Sequence, residues 1–170
     1  MCKVLVFSDS HGNIQNMTKA IENFKDQVDT IIHLGDYVED IENKLINLYK
    51  DKCFLYVAGN NDFMSTSAPE EKIVNIKNYK IFLTHGHQYN VYFGIDRLYY
   101  KLNELNIKIG LYGHTHKPLA CLENDILILN PGSISAPRGF SVCTFLLIDF
   151  SDEITYKFYG IFDDTIKEIQ

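Results

Sequence analysis

The sequence predicts a single α/β domain built on two packed β-sheets. Its 170 residues, 46% hydrophobic and 22% charged, match one ordinary globular domain, 1–170, with no separate tail. Strand-like apolar runs alternate with helical patterns over the first two-thirds of the chain, as in proteins with a parallel sheet. The last third carries strand patterns with no helix between them, which indicates a second sheet packed on the first.

Short apolar runs bounded by turn residues predict the strands. Five buried strands are expected at Val4–Phe7, Thr30–Leu34, Cys53–Val57, Ile81–Thr84 and Ile109–Tyr112. A further strand, Ile73–Ile76, is expected to form a hairpin with the Ile81 run. In the last third, strands are expected at Ile126–Leu129, Thr144–Asp149 and Ile154–Phe158, whereas residues 160–170 fit either a strand or a short helix.

Helices are predicted where apolar residues recur at three- and four-residue steps. The first helix places Met17, Ala20, Ile21 and Phe24 on one face, and Asn13 is its expected N-cap. The second places Ile41, Leu45 and Leu48 on one face, and the third covers Phe93–Asn106. Helix packing is the simplest explanation for Tyr92, Tyr99 and Tyr100, and a base-binding pocket is the alternative.

Composition limits the classes of function. The net charge of -6 and the pI near 5.4 argue against a surface that binds long nucleic acid, which needs a stripe of Lys and Arg. Cys2, Cys53, Cys121 and Cys143 form no CxxC pair, so we expect buried free thiols. With no apolar stretch as long as a membrane span, we expect a cytosolic protein that does not contact a membrane.

Residues that commonly bind metals follow the predicted strands. Asp9 and His11 follow the first strand and Asp36 the second, and the remaining ones are Asn60, His85, His114 and His116. In open α/β sheets ligands gather outside the carboxyl ends of the strands, so these five segments are expected to meet at one edge. Gly35, Gly59 and Gly113 precede them and allow a sharp turn with close backbone approach.

This ordered series resembles the calcineurin-like metallophosphoesterases. The motifs are Asp9-Ser10-His11, Gly35-Asp36, Gly59-Asn60-Asn61-Asp62, His85-Gly86-His87 and Gly113-His114-Thr115-His116. Asn130-Pro131-Gly132-Ser133 narrows the resemblance to the small single-domain phosphodiesterases of the YfcE type. The resemblance implies a four-layer α/β/β/α sandwich. It also implies that Asp9, His11 and His116 hold one metal, that Asn60, His85 and His114 hold another, and that Asp36 bridges the two.

The resemblance implies hydrolysis of a small phosphodiester by a hydroxide that bridges two divalent cations. The ligands are oxygen and imidazole nitrogen without thiolate, which suits Mn²⁺ as first choice and also Ni²⁺, Fe²⁺, Co²⁺ or Zn²⁺. The cations would also give an acidic protein the positive charge that a phosphate substrate needs. Two alternatives stay open: a phosphomonoesterase, and a non-catalytic metal-binding scaffold like the retromer subunit of this fold. A homo-oligomer is possible.

Other residues near these motifs have predicted roles. Larger phosphatases of the superfamily carry a His where this chain has Asn61, and Asn61 cannot protonate a leaving group. We therefore expect a substrate with a good leaving group, or a different proton donor such as His87, which is otherwise a substrate contact. Asn61 and Arg138 are candidate substrate-binding residues, and Asp62 is expected to orient a metal-bound histidine. His33 is expected to be a hydrogen-bonded core histidine.

Overall fold

The computed structural model describes residues 2–63, 68–139, 141–163 and 165–169. The strands, in chain order, are β1 (Lys3–Phe7), β2 (Val28–His33), β3 (Cys53–Tyr56), β4 (Glu71–Ile76), β5 (Tyr79–Thr84), β6 (Ile109–Leu111), β7 (Pro118–Glu123), β8 (Ile126–Pro131), β9 (Cys143–Asp149), β10 (Thr155–Phe162) and β11 (Thr165–Ile169). The helices are α1 (Ile14–Phe24), a π-helical turn (Ile41–Leu45) that continues into α2 (Ile46–Leu48), a 3₁₀ turn (His87–Tyr89) and α3 (Asp96–Glu104).

The strands form two mixed sheets. The first has the order β11-β10-β9-β1-β2-β3, with β1, β2 and β3 parallel and β9 antiparallel to β1. The second has the order β4-β5-β6-β8-β7, with β5, β6 and β8 parallel. The expected hairpin is present as β4 and β5, where Ile76 pairs with Tyr79.

Three apolar layers hold the elements together and confirm the four-layer α/β/β/α sandwich. Strand β1 shows how: Leu5 and Phe7 join the layer beneath α1, whereas Val4 and Val6 join the layer between the two sheets. A strand covered on both faces has no polar alternation, which explains the continuous apolar run. In the third layer, Leu98 and Leu102 of α3 pack with Phe82 of the second sheet.

The last third of the chain is divided between the two sheets instead of forming the second sheet alone. The predicted strand Ile126–Leu129 does lie in the second sheet, as β8, beside β7. Strands β9, β10 and β11 extend the first sheet, because β9 pairs along the free edge of β1 with Val6 opposite Leu146. The segment 160–170, left open between strand and helix, is strand: residues 160–162 complete β10 and residues 165–169 form β11, while Asp164 and Gln170 lie outside the described residues. Strand β7 was not predicted, and its mostly half-buried or exposed residues gave no buried pattern.

The helices depart from the prediction in detail. Asn13 caps α1 as expected, because its side chain accepts a hydrogen bond from the Gln15 N–H at 3.2 Å. Leu48 is 62% exposed instead of buried, because the π-helical turn changes the angular spacing of the second helix. Helix α3 begins at Asp96, so Tyr92 lies in the loop before it.

The structure bears on the expected burial of the cysteines and on the length of the helices. Cys2, Cys53, Cys121 and Cys143 are all free, but Cys53 is exposed and the other three are half-buried, so the expected full burial was wrong. Within the described ranges, no helix is long and apolar enough to cross a bilayer.

Candidate metal centre

The loops after β1, β2, β3, β5 and β6 meet at one edge of the two sheets. Backbone hydrogen bonds join them: Asp9 N–H donates to the Gly35 carbonyl at 3.0 Å, and Gly113 N–H donates to the His85 carbonyl at 3.1 Å. All of the predicted ligand residues stand in these loops, so the common placement expected from the sequence is present.

Five of these residues have left-handed backbone conformations, which are uncommon for residues other than glycine. The φ angles are 57° at Asp9, 46° at His11, 62° at Asp36, 67° at His114 and 59° at His116. Such conformations cost free energy and persist only where the surroundings enforce them, and they cluster at functional sites.

One group of side chains could hold a cation. Ligand atoms of Asp9, His11, Asp36 and His116 all lie within 4.8 Å of one another. His116 Nε2 lies 3.1 Å from Asp9 Oδ1 and 3.4 Å from His11 Nε2, and His11 Nε2 lies 4.0 Å from Asp36 Oδ2. Apart from the contact with His116, Asp9 Oδ1 finds no hydrogen-bond donor among the residues described.

A second group shares Asp36 with the first. His85 Nε2 lies 3.4 Å from Asp36 Oδ1, 3.2 Å from Asn60 Oδ1 and 3.2 Å from His114 Nδ1. The other ring nitrogen of His85, Nδ1, lies 2.7 Å from the Leu34 carbonyl, so it donates there while Nε2 faces the group.

Burial and charge set the protonation of three of these groups. Burial would raise the pKa of Asp9, but the hydrogen bond from His116 and the charges on His85 and His116 hold it below its usual value. Burial would lower the pKa of His116, but the hydrogen bond and the charge of Asp9 raise it. Burial, together with the charge on His85, lowers the pKa of His114 to about 4, so that ring is neutral at pH 7. Neutral imidazole is the form that binds cations.

Asn61 and Asp62 hold the Asp36 loop. Asn61 donates its backbone N–H to Asp36 Oδ1 at 2.9 Å and its side-chain Nδ2–H to Asp36 Oδ2 at 2.6 Å. The Asp62 carboxylate accepts four backbone N–H groups, those of Asp36, Tyr37, Val38 and Gly59. Its hydrogen bonds therefore organise the loop backbone instead of orienting a histidine ring.

Two glycines leave room for the carboxylates. A Cβ atom on Gly59 would lie 2.3 Å from Asp36 Oδ1 and 2.5 Å from Asp36 N. A Cβ atom on Gly113 would lie 1.9 Å from Ser8 Oγ and 3.2 Å from Asp9 Oδ2. Both positions are therefore closed to any side chain.

Residues whose role the sequence did not indicate lie behind the candidate ligands. Ser133 Oγ donates to the Asp9 carbonyl at 2.9 Å, and Asn130 Nδ2 donates to the Gly113 carbonyl at 2.8 Å, which gives the Asn130–Ser133 motif a structural role. The buried Asp40 carboxylate accepts from Ser10 Oγ at 2.8 Å and from Gly12 N–H at 3.0 Å. Asp40 carried no sequence signal for this role, because Ser10 and Gly12 are far away in the chain.

Half-buried and exposed residues form a rim beside the candidate ligands. The His87 ring lies 5.6 Å from the His85 ring and 6.1 Å from the His114 ring, between centroids. The Tyr37 ring, 43% exposed, meets the His11 ring edge-on at 5.4 Å. The Tyr92 ring, 48% exposed, meets the His114 ring at 4.6 Å, so helix packing does not account for this tyrosine.

Comparison with known proteins gives the family. The profile of the calcineurin-like phosphoesterase superfamily domain matches residues 2–153. The chain belongs to the calcineurin-like phosphoesterase superfamily. The phosphodiesterase YfcE of Escherichia coli is 28% identical over 171 residues, covering 88% of this chain and 88% of YfcE, so the resemblance to YfcE-type enzymes is confirmed.

Solved structures of this superfamily's fold superpose on most of the chain. A predicted phosphoesterase of Streptococcus pneumoniae is 32% identical, with a TM-score of 0.81 and coverage of 98% of this chain and 96% of that one. Vps29 of Entamoeba histolytica, solved as a complex with Zn²⁺, is 25% identical, with a TM-score of 0.75 and coverage of 98% and 97%.

The residues of this calcineurin-like phosphoesterase fit divalent cations. The buried Asp9 Oδ1 is short of hydrogen-bond donors, and its surroundings supply carboxylate oxygen and imidazole nitrogen, both ordinary ligands of transition metals. Gly59 and Gly113 keep the backbone clear of the two carboxylates.

Proposed function

We propose that the chain is a metal-dependent phosphodiesterase with two divalent cations. The observation that carries the proposal is the position of Asp36 between two groups of ligand-type atoms. Its Oδ2 lies 4.0 Å from His11 Nε2, and its Oδ1 lies 3.4 Å from His85 Nε2. A carboxylate shared in this way is suited to bridge two cations.

Each cation has its own ligands in this proposal. Asp9, His11 and His116 hold one and Asn60, His85 and His114 hold the other, with Asp36 between them. The donors include no thiolate, which favours Mn²⁺, with Ni²⁺, Fe²⁺, Co²⁺ and Zn²⁺ as further candidates. When bound, two such cations would activate a water molecule for attack and neutralise the phosphate oxygens.

The chain's own residues position the site and contact the substrate. Asn61 fixes the orientation of Asp36 and so cannot also be a free substrate ligand through the same N–H groups. Burial, together with the charge on His85, lowers the pKa of His87, so its ring is neutral at pH 7. We therefore favour substrate contact over proton donation for His87, and a diester with a good leaving group as substrate.

The net charge and the cysteines bear on the substrate and the cellular compartment of the proposed enzyme. The net charge of -6 opposes a long nucleic acid, so we propose a small phosphodiester as substrate. The four cysteines, all within the described residues, are free, which suits the reducing cytosol.

Hydrolysis of bis-p-nitrophenyl phosphate tests the proposal. We expect turnover that requires Mn²⁺ or Ni²⁺, that disappears with chelator and that exceeds turnover of p-nitrophenyl phosphate, the matched monoester. His114→Ala should lose turnover by at least a hundredfold, whereas the control Asn75→Ala, on the exposed face of β4, should keep it. Absence of metal-dependent turnover, or a fully active His114→Ala variant, would contradict the proposal.

A non-catalytic scaffold is the second candidate, because the fold is shared with Vps29. Metal analysis of protein purified without chelator, combined with a pull-down from lysate, distinguishes the scaffold from the enzyme. Protein that retains two cations, hydrolyses neither ester and recovers a large partner in stoichiometric amount would favour the scaffold. The presence of all seven ligand-type residues favours the enzyme.

A further inference from the structure

The Arg138 side chain extends over the rim of the metal centre. Its backbone N–H donates to the His116 carbonyl at 3.1 Å, which anchors the residue beside one proposed metal ligand. Its guanidinium reaches Tyr92, donating a hydrogen bond to the Tyr92 hydroxyl and lying 5.7 Å from the centre of the ring. Arg138 therefore connects the His116 loop with Tyr92.

Tyr92 is held against His114, a proposed ligand of the other cation. Its hydroxyl donates to the His114 carbonyl at 3.0 Å, and its ring meets the His114 ring edge-on. A phenolic oxygen can donate one hydrogen bond and accept others, so the His114 and Arg138 contacts are compatible. The Tyr92 hydroxyl is thus the point at which Arg138 is held next to His114.

Most N–H donors of the Arg138 guanidinium are available to a ligand. It carries five N–H groups, and no carboxylate among the described residues pairs with it, although the protein has 22 acidic residues against 16 Lys and Arg. An unpaired arginine with free donors matches the oxygens of a phosphate anion.

We propose that Tyr92 is a positioning residue, which holds the Arg138 guanidinium beside the metal centre so that it binds the phosphate oxygens of the substrate. This inference rests on the proposed phosphodiesterase function. An exposed arginine loses rotamer entropy when it binds a ligand, and a contact that already fixes it lowers that cost. The Tyr92 hydroxyl should therefore improve substrate binding more than it speeds the chemical step.

Steady-state kinetics with bis-p-nitrophenyl phosphate test the inference. Tyr92→Phe keeps the ring against His114 and removes only the hydroxyl, so we expect KM to rise about three- to tenfold with kcat within twofold, as for one hydrogen bond. Arg138→Gln should raise KM at least as much. The double variant should be no worse than Arg138→Gln, because the two residues act as one unit. Tyr100→Phe, an exposed tyrosine on α3, is the control and should match wild type.

Binding of inorganic phosphate separates this inference from the proposed function. Calorimetry with Mn²⁺-loaded protein should show Kd for phosphate rising by a similar factor in Tyr92→Phe and Arg138→Gln, even if the wild type hydrolysed no ester. Additive effects in the double variant, or wild-type KM and Kd in Tyr92→Phe, would overturn the inference. A fall in kcat with unchanged KM and Kd would also overturn it, because Tyr92 would then act through His114 alone.

Discussion

The orientation of the Asp36 carboxylate depends on Asn61, its neighbour in space but not in sequence. Two hydrogen bonds from Asn61, at 2.9 and 2.6 Å, reach both carboxylate oxygens. Asn61 thus holds the proposed bridging ligand. An amide cannot protonate a leaving group, so the contribution of Asn61 is a positional restraint.

Removing the Asn61 side chain should weaken metal binding. Asn61→Ala deletes the 2.6 Å hydrogen bond to Asp36 Oδ2, and loss of a partner of a metal ligand typically lowers affinity about 10- to 100-fold. Titration of the chelator-treated protein with Mn²⁺ measures the effect. Asn75→Ala is the control, and equal affinities in the two variants would disprove this role.

Buried His33 should make the metal-free protein sensitive to acid. Its Nδ1 accepts a hydrogen bond from the Gly35 N–H at 3.3 Å, as expected of a core histidine, while its Nε2 is buried and, among the described residues, unpartnered. Burial lowers its pKa to about 4 from the usual 6.5. Between these values the unfolded chain binds the extra proton, so stability falls as the pH drops below 6.5.

The size of this effect can be measured by denaturant unfolding. From pH 7 to pH 5, wild type should lose roughly 2 kcal/mol more free energy of unfolding than His33→Gln, whose amide can still accept from Gly35. Chelator in both samples keeps metal binding out of the comparison. Parallel losses in the two proteins would show that His33 does not titrate on unfolding.

At the scale of elements, the β2 and β3 loops approach too closely for a side chain at Gly59. In Gly59→Ala the new Cβ would meet Asp36 N at 2.5 Å and its carboxylate at 2.3 Å, so the Asp36 loop must move. We expect a loss of roughly 1–3 kcal/mol in stability together with a large loss of Mn²⁺ affinity.

Gly110→Ala is the matched control for this substitution. Its Cβ would meet Leu102 Cδ1 at 2.6 Å, in the apolar layer beneath α3. This variant should be destabilised, because the Leu102 side chain must shift in a packed layer, and should still bind Mn²⁺ like wild type. If both variants lost metal affinity equally, general destabilisation and not the position of Asp36 would explain the result.

The elements show what the sequence could and could not predict. Strands such as Val4–Phe7 were predictable because both faces are buried, which leaves a continuous apolar run. The loop residues were predictable because parallel strands end at a common edge. The roles of Asp40 and Tyr92 were not, since they depend on partners distant in the chain, and neither was the pairing of β9 with β1 or the turn that exposes Leu48.

At the scale of the molecule, the candidate metal ligands come from both sheets. Asp9, His11 and Asp36 follow strands of the first sheet, whereas His85, His114 and His116 follow strands of the second. Bound cations would therefore link the sheets at this edge, and a ligand that binds only the folded state stabilises it by mass action.

Removal of metal should lower the thermal stability. At a Mn²⁺ concentration 100 times Kd the stabilisation is about 2.7 kcal/mol, which for a domain of this size corresponds to about 5–10 °C in Tm. Calorimetric scans with Mn²⁺ and with chelator measure the difference. His116→Ala, which lacks a ligand of one of the two cations, should show a smaller change between the two conditions than wild type, and an equal change in both proteins would argue against a metal link between the sheets.

Five candidate ligands have a left-handed backbone, namely Asp9, His11, Asp36, His114 and His116. At these positions, the substitution that relieves backbone strain is also one that would abolish the proposed hydrolysis. Each such residue costs roughly 1–2 kcal/mol that glycine would not, so glycine at these positions relaxes the chain while it destroys the centre. A library of variants sorted in the presence of chelator, and only for survival of heat or protease, would enrich glycine there. A library sorted for hydrolysis would keep the strained residues, so the two enrichment profiles would diverge at these five positions.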